Sequence, residues 1–260
     1  MKTFIFTVDD NIRFLKELSE SNADSLFSHP YPAMYRRLHE KYGLKVQMNL
    51  FYEMPGFTLT RMTDRFRTEF EENAGWLKMS FHSQLENVEP YIFSGYSEVY
   101  EDCQAVHREI LRFAGEKSLA KTTTIHYCKA TEHGLRALKD SGVCGLLGLF
   151  GTDEKPQVSY SLMEGICARI RRGESMHADG MDFGSIDLVM NLYGKDEMLK
   201  KLSGLLSRDS VRVMIHEQYF YPDYPAYQPD FEEKIESAFK LLAENGYESR
   251  FFEETMPNQQ

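Results

Sequence analysis

The chain opens on the stretch Phe4-Ile-Phe-Thr-Val-Asp-Asp-Asn11, which sets the expectation for the whole fold. Its first five residues are aromatic or β-branched, a run typical of a buried strand. Two carboxylates and an amide follow that run at once. Strand and helix patterns then alternate along the rest of the chain. Repeated β-then-α units of this kind predict a parallel sheet or barrel.

We therefore predict an α/β fold, namely a (β/α) barrel that is irregular or seven-stranded. The predicted strands cover residues 4–8, 44–52, 76–81, 122–127, 143–150, 186–190, 211–215 and 247–252. The predicted helices cover residues 12–19, 32–41, 63–73, 97–115, 131–142, 195–206 and 230–246. Ser97 and Thr131 are expected helix N-caps, Asp230 and Glu233 are expected to form a capping box, and Gly246 is expected to end the last helix.

No linker, repeat or low-complexity segment divides the chain, so residues 1–260 are expected to form a single domain. Two segments fit the alternating pattern less well. Residues 19–42 are interpreted as an insertion that covers the open end of the barrel. Residues 152–185 are expected to form an irregular segment, a long loop or hairpin.

Composition excludes several classes of protein. The net charge is −10 and no dense Lys/Arg patch is present, which argues against a nucleic-acid partner. The longest apolar stretches, such as residues 145–150, are far shorter than the roughly 20 residues of a membrane helix, so no membrane span is expected. The four cysteines are dispersed, without a CxxC pair. A strand directly after Met1, with no secretory leader, predicts a cytoplasmic protein.

Acids and imidazoles recur where the predicted strands end. In a (β/α) barrel the carboxyl ends of the strands meet on one face, which carries the chemistry. The residues brought to that face are Asp9 and Asp10, His82 with Glu86, His126 with Tyr127, and His216 with Glu217. Asp and His side chains are ligands for a divalent metal, and this set leaves one acid and one base for proton transfer. Because side chains alternate along a strand, Asp9 and Asp10 are expected to point to different sides.

Three motifs resemble those of the polysaccharide deacetylases, carbohydrate esterase family 4 with the NodB-homology fold. Thr7-Val-Asp-Asp-Asn11 is similar to the family's Thr-Phe-Asp-Asp-Gly, Ser80-Phe-His-Ser-Gln-Leu-Glu86 to its His-[Ser/Thr]-x-x-His, and Val213-Met-Ile-His216 to its late hydrophobic-Leu-x-His. The resemblance implies that Asp9 is the catalytic base, that Asp10 and His82 bind the metal, and that His216 is the general acid. It also implies a carbohydrate substrate and zinc as the metal, with nickel, cobalt or manganese as alternatives.

The motifs also depart from the family pattern. Glu86 stands where the family has its second histidine ligand, and Asn11 replaces a glycine. The Arg-x-Pro-Tyr motif is reduced to Thr124-Ile-His-Tyr127, which leaves Asp9 without an arginine partner. The third metal ligand is Glu86 by motif position or His126 by strand-end geometry. His126, Tyr127 and Glu217 are otherwise expected to bind substrate.

Two hypotheses about function follow. The first is a metal-dependent hydrolase that removes an N-acetyl or related acyl group from a carbohydrate, in surface-polysaccharide biosynthesis. The second is a deacetylase-like barrel that has lost catalysis and binds a glycan or an assembly partner. The aromatic run Tyr219-Phe-Tyr-Pro-Asp-Tyr-Pro-Ala-Tyr227 fits a glycan-stacking surface and ordinary loop packing equally well.

Overall fold

The computed structural model describes residues 2–86, 91–157 and 159–256. The strands are β1 (Lys2–Asn11), β2 (Val46–Phe51), β3 (Glu53–Met54), β4 (Phe57–Thr58), β5 (Leu77–Ser83), β6 (Thr122–Thr123), β7 (Gly145–Gly148), β8 (Met176–Ala178), β9 (Met181–Ser185), β10 (Leu188–Val189), β11 (Ser210–His216) and β12 (Tyr247–Ser249). The α-helices are α1 (Arg13–Glu20), α2 (Pro30–Tyr42), α3 (Arg67–Asn73), α4 (Tyr96–Phe113), α5 (Glu132–Asp140), α6 (Glu164–Arg171), α7 (Lys195–Ser203) and α8 (Phe231–Glu244).

The parallel strands follow one another around a ring of seven positions. β1 pairs with β2 on one side and with β11 on the other, and β2 pairs with β5. Next to β5, the chain entering β6 donates from the Ala120 amide to the Met79 carbonyl at 2.8 Å. β6 pairs with β7 and β7 with β9. β9 and β10 follow each other directly and together occupy one position of the ring. β10 pairs with β11, which pairs with β1. The predicted α/β barrel is confirmed.

β1 is buried on both faces, as expected for a central parallel strand. Its outward aromatic residues, Phe4 and Phe6, pack against the helical layer. The ring centroid of Phe239 in α8 lies 5.3 Å from that of Phe4 and 4.9 Å from that of Phe6. Its inward positions, including Thr7 and Asp9, face the interior of the barrel. The short strand β12 pairs with the first residues of β1, at the end of the barrel opposite the carboxyl ends.

Residues 19–42 lie mainly in the outer helical layer, which differs from the insertion over the open end that we expected. α2 packs beside α8, where Arg37 pairs with Glu232 and Lys41 with Glu236, both at 2.5 Å. The buried ring of Tyr35 contacts Phe6 of β1. Residues 30–42 therefore supply a helix that packs on the outside of β1 beside α8.

The segment expected to be irregular contains regular elements. α6 lies within residues 152–185, and β8 pairs with β9 in an antiparallel hairpin. The predicted strand at 122–127 is wrong in extent, because β6 stops after Thr123. His126–Cys128 forms a 3₁₀ turn in which Tyr127 has φ of +60° and Cys128 of +57°. His126 and Tyr127 are thus carried by a tight turn.

Of the predicted helix ends, some are confirmed and others are wrong. The Thr131 hydroxyl accepts from the Gly134 amide at 3.0 Å and caps α5, as predicted. Gly246 has φ of +77° after α8, the left-handed conformation that glycine tolerates best. Ser97 lies inside α4, which begins after Gly95. Asp230 occupies the N-cap position of α8 without a capping hydrogen bond, and Glu233 pairs with Lys195 instead.

His107 makes stability depend on pH. Burial in α4 lowers its pKa to about 4. Because an unfolded-chain histidine titrates near 6.5, protons favour the unfolded state as the pH falls from about 6.5 toward 4. We expect this group to remove about 2 kcal/mol of unfolding free energy between pH 7 and pH 5. Denaturant unfolding at pH 7 and pH 5 should show that the free energy of unfolding falls less in His107→Gln than in wild type. The exposed His133→Gln is the control and should match wild type; equal losses in all three proteins would refute this role.

Within the described ranges, no helix combines the length and apolar character needed to cross a membrane.

Candidate active site

A bulge in β1 turns both acidic residues toward the same site. The β1–β2 register shifts between Val8 and Asn11, and Asp10 within it has φ of +62°. The left-handed conformation is uncommon for a residue other than glycine, but aspartate and asparagine tolerate it best. The side chain of Asn11 closes the bulge by donating to the Val8 carbonyl at 2.6 Å. The expected alternation of Asp9 and Asp10 is therefore wrong, because a bulge interrupts it.

Three side chains from separate parts of the barrel converge on one point. Oδ1 of Asp10 lies 3.0 Å from Nε2 of His82 and 3.5 Å from Nδ1 of His126. The two imidazole nitrogens are 3.2 Å apart. Zinc bonds of about 2.0–2.1 Å in tetrahedral geometry place neighbouring ligand atoms about 3.3 Å apart. The spacing of these three atoms therefore matches one face of a zinc coordination shell.

The outer nitrogens of the two imidazoles determine which atoms carry protons. Nδ1 of His82 donates to the Thr124 carbonyl at 2.5 Å, and Nε2 of His126 donates to the Glu86 carbonyl at 2.7 Å. A carbonyl oxygen only accepts, so each of these nitrogens bears hydrogen. In the neutral rings the inner nitrogens then present lone pairs toward Asp10. Histidines that bind metals are usually oriented by such a hydrogen bond on the other ring nitrogen.

The pKa shifts of Asp10 and His126 favour the protonation states of metal ligands, whereas that of His82 does not. Burial lowers the pKa of His82, but the charge of Asp9 and the hydrogen bond and charge of Asp10 outweigh it and raise that pKa, so a metal would displace a proton from this ring. Burial opposes ionisation of Asp10, but the hydrogen bond and charge of His82 overcome it and hold the pKa of Asp10 well below its usual value. Burial, together with the nearby His82, lowers the pKa of His126 to about 4. Asp10 is thus ionised and His126 neutral near pH 7, the forms that bind a metal.

Asp9 lies beside this cluster and has a neutral partner. Its Oδ1 accepts from the Asn49 amide at 2.7 Å, and Asn49 in turn accepts from Gln47 at 2.9 Å. Burial raises the pKa of Asp9, while His82 and His216 oppose this effect. Asn49 was not among the residues selected from the sequence. The sequence does contain a pattern that indicates its position. Gln47 and Asn49 alternate with apolar residues along β2, which places both amides inside the barrel.

His216 stands at the end of β11, in register with Asp9. Its Nδ1 lies 2.9 Å from Oδ1 of Asn191, so Nδ1 carries the proton and Nε2 faces the cluster, 4.0 Å from Oδ2 of Asp10. Asn191 was also missed, although it directly follows the predicted strand at 186–190. The strand-end rule that selected His216 would have selected Asn191 as well.

Glu86 lies near the cluster but its carboxylate is not among the three converging groups. Oε1 of Glu86 is 3.5 Å from Nε2 of Gln218, which donates to Oδ2 of Asp10 at 2.6 Å. Through its carbonyl, Glu86 instead orients His126. Gln218 was not singled out from the sequence, and it holds Asp10 so that Oδ1 is left for the cluster.

Glu217, expected to bind substrate, has both carboxylate oxygens engaged within the protein. It is 1% exposed and accepts from the amides of Ile12 at 2.7 Å, Arg13 at 3.0 Å and Phe14 at 2.8 Å. The Tyr221 hydroxyl donates to it at 2.9 Å. A carboxylate at a helix N-terminus satisfies amides that have no partner within the helix. Glu217 thus ties the end of β11 to the start of α1 and positions His216 beside Asp9 and Asp10.

Glu217→Ala is expected to lower the free energy of unfolding by about 3 kcal/mol, because it leaves three amides, two of them buried, without an acceptor. Glu217→Gln keeps one acceptor oxygen, so its free energy of unfolding should fall less than that of Glu217→Ala. The exposed Glu72→Ala on α3 serves as the control and should stay within about 0.5 kcal/mol of wild type. Urea denaturation measures all three, and a loss below 1 kcal/mol in Glu217→Ala would contradict the assigned role.

Tyr127 and the aromatic run after β11 border the site. The Tyr127 side chain is 57% exposed, and its ring centroid lies 4.2 Å from that of His126. The ring of Tyr219 lies 6.2 Å from His216 and 5.2 Å from Tyr224. Next to Asp10 a cleft of about 460 Å³ opens, with Tyr224 in its wall. Asp10 thus connects the three-atom cluster to this cleft.

Solved structures with this arrangement of strands are known. A family 4 acetyl xylan esterase from Clostridium thermocellum, in complex with a cobalt ion, superposes with a TM-score of 0.55 at 12% identity over 97% of this chain and 89% of that one. The fold is that of carbohydrate esterase family 4. A peptidoglycan N-acetylglucosamine deacetylase matches with a TM-score of 0.57 at 10% identity, covering 98% and 87% of the two chains.

The same fold also occurs without activity. A family 4 pseudoenzyme from Bacillus anthracis matches with a TM-score of 0.53 at 10% identity, over 97% of this chain and 64% of that one. No protein-family model matches this sequence, and no curated protein gives a significant match. At identities this low, the superpositions show a shared fold and nothing about activity. The chemistry of this site depends on its own residues.

Proposed function

We propose that this protein is a metal-dependent hydrolase that removes an N-acetyl or related acyl group from a carbohydrate. The observation that carries the proposal is the convergence of Asp10, His82 and His126, with Asp9 and His216 beside them. A divalent ion at the three converging atoms would polarise an acyl carbonyl and acidify a water molecule. Zinc fits the donor set, and nickel, cobalt and manganese accept the same ligand types.

The remaining residues have separate tasks in this scheme. Asp9, held by Asn49, takes the proton from the attacking water as general base. His216, as imidazolium, donates from Nε2 to the leaving nitrogen, and Asn191 keeps that nitrogen turned toward the site. Gln218 fixes Asp10, while the Glu86 carbonyl fixes His126. Each acid or base group therefore has a hydrogen-bonded neighbour that sets its direction.

The test is acetate release by purified protein after loading with zinc, nickel, cobalt or manganese. N-acetylglucosamine oligomers supply the amide substrate, and acetylated xylan supplies an ester for comparison. We expect acetate from the oligomers in the metal-loaded protein and none after chelation. Protein that stays metal-free after supplementation would refute the proposal. Protein that binds metal and the oligomers but releases no acetate would support the alternative of a catalytically silent glycan-binding barrel.

A further inference from the structure

The cleft beside Asp10 is lined by apolar and by acidic side chains. Its volume is about 460 Å³. The apolar lining consists of Ile12, Phe51, Met54, Pro55 and Leu85. Three carboxylates that have no part in the three-atom cluster also line it: Glu53, Glu86 and Glu217. Glu217 is already engaged by the amides at the start of α1, which leaves Glu53 and Glu86 for a ligand. The apolar face of a sugar ring can pack on such a surface, and the carboxylates accept from its hydroxyl groups.

Arg13 is the only basic side chain among the described residues that line this cleft, and its charge is already paired. Its Nε lies 2.8 Å from Glu17 and its Nη1 lies 2.7 Å from Asp223. The guanidinium also stacks on Tyr221, 3.9 Å from the ring centroid. A phosphate or carboxylate on a substrate would have to break these interactions to gain a cation.

A bound divalent ion would not reverse this charge balance. The ionised carboxylates of Asp9 and Asp10 would offset its two positive charges. Glu53 and Glu86 remain without a cationic partner among the ion pairs of the described residues. A cleft of one charge sign with apolar walls focuses its field on an entering ligand. An anionic group near the reacting acetamide would therefore be repelled.

We propose that the cleft selects acetamido sugars that are uncharged or cationic and discriminates against those that carry a phosphate or carboxylate. This inference rests on the proposed deacetylase function and narrows its substrate class. Neutral amino-sugar polymers fit the cleft, and so do polymers in which neighbouring units already bear a free amine. Nucleotide-linked sugars are disfavoured, because their diphosphate would lie close to the two carboxylates.

The experiment compares chitotriose with chitotrionic acid, which differs from it mainly by one carboxylate at the oxidised end. We expect kcat/KM for chitotrionic acid to be lower by roughly tenfold at low ionic strength. The difference should shrink in 0.5 M NaCl, because salt screens charge. Glu53→Gln and Glu86→Gln should each bring the kcat/KM values for chitotriose and chitotrionic acid closer together. The exposed Glu244→Gln, at the other end of the barrel, is the matched control and should keep the wild-type ratio.

Equal kcat/KM for the two sugars, or a ratio that neither salt nor the glutamate variants change, would overturn the inference. Its failure can be separated from failure of the proposed function by measuring equilibrium binding of both sugars to chelated wild-type protein, which keeps every carboxylate and is expected to release no acetate. Tighter binding of chitotriose without any turnover in wild type would support charge selection and refute the enzyme. Equal affinities would refute charge selection even if wild type releases acetate.

Discussion

His126→Gln is expected to weaken zinc binding by at least about 100-fold, whereas Glu86→Gln should change it by less than about threefold. Loss of an outer hydrogen-bonding partner alone commonly costs 10–100-fold in metal affinity, and His126 would be lost as a ligand. The two candidates for the third ligand differ in position. Nδ1 of His126 lies within 3.5 Å of both other ligand atoms, while the Glu86 carboxylate faces Gln218.

The comparison is informative because Glu86→Gln leaves the backbone carbonyl that orients His126. Competition with a zinc-binding dye gives the affinities, and the absorption spectrum of the cobalt-loaded protein reports the coordination number. Asp182→Asn, which alters a carboxylate paired with His177 away from the cluster, is the control. If Glu86→Gln lost zinc as severely as His126→Gln, the carboxylate would be a ligand and the assignment of His126 would fail.

Much of the barrel and part of the site could be predicted from the sequence. Strand ends are marked locally: the apolar run before Asp9 and the one before His216 both stop at a polar residue, and parallel strands bring such ends to one face. The register of Asp9 opposite His216 follows from that rule. His82 likewise follows a buried strand. Position along a strand was sufficient to select these residues.

The remaining details depend on backbone conformation and on long-range contacts that periodicity does not encode. The positive φ of Asp10 reverses the direction expected from strand alternation, and nothing in the sequence of β1 specifies a bulge there. The 3₁₀ turn places His126 in the cluster, although a strand was predicted through it. Glu217 pairs with the first amides of α1, more than 200 residues away in sequence, so its role required the tertiary structure.

Asp9→Asn is expected to reduce kcat by about 10²–10⁴-fold, the usual contribution of a general base, while KM changes little. The variant keeps the size of the side chain and its hydrogen bond to Asn49 through the remaining carbonyl oxygen. It cannot accept a proton from water. Asp9 supplies none of the three converging ligand atoms, so zinc affinity should fall by less than about tenfold. A large loss of kcat with little loss of zinc affinity then identifies Asp9 as the base.

Single-turnover acetate release and zinc affinity, measured on the same preparation of Asp9→Asn, give the two quantities. His216→Gln should lower kcat as well, but with a smaller penalty for a substrate whose leaving group needs no proton, such as an aryl acetate. Asp9→Asn should impair both substrates alike, because water must be deprotonated in either reaction. A variant that kept more than a tenth of wild-type kcat would place the base elsewhere, and the pairing of Asp9 with Asn49 would then be structural.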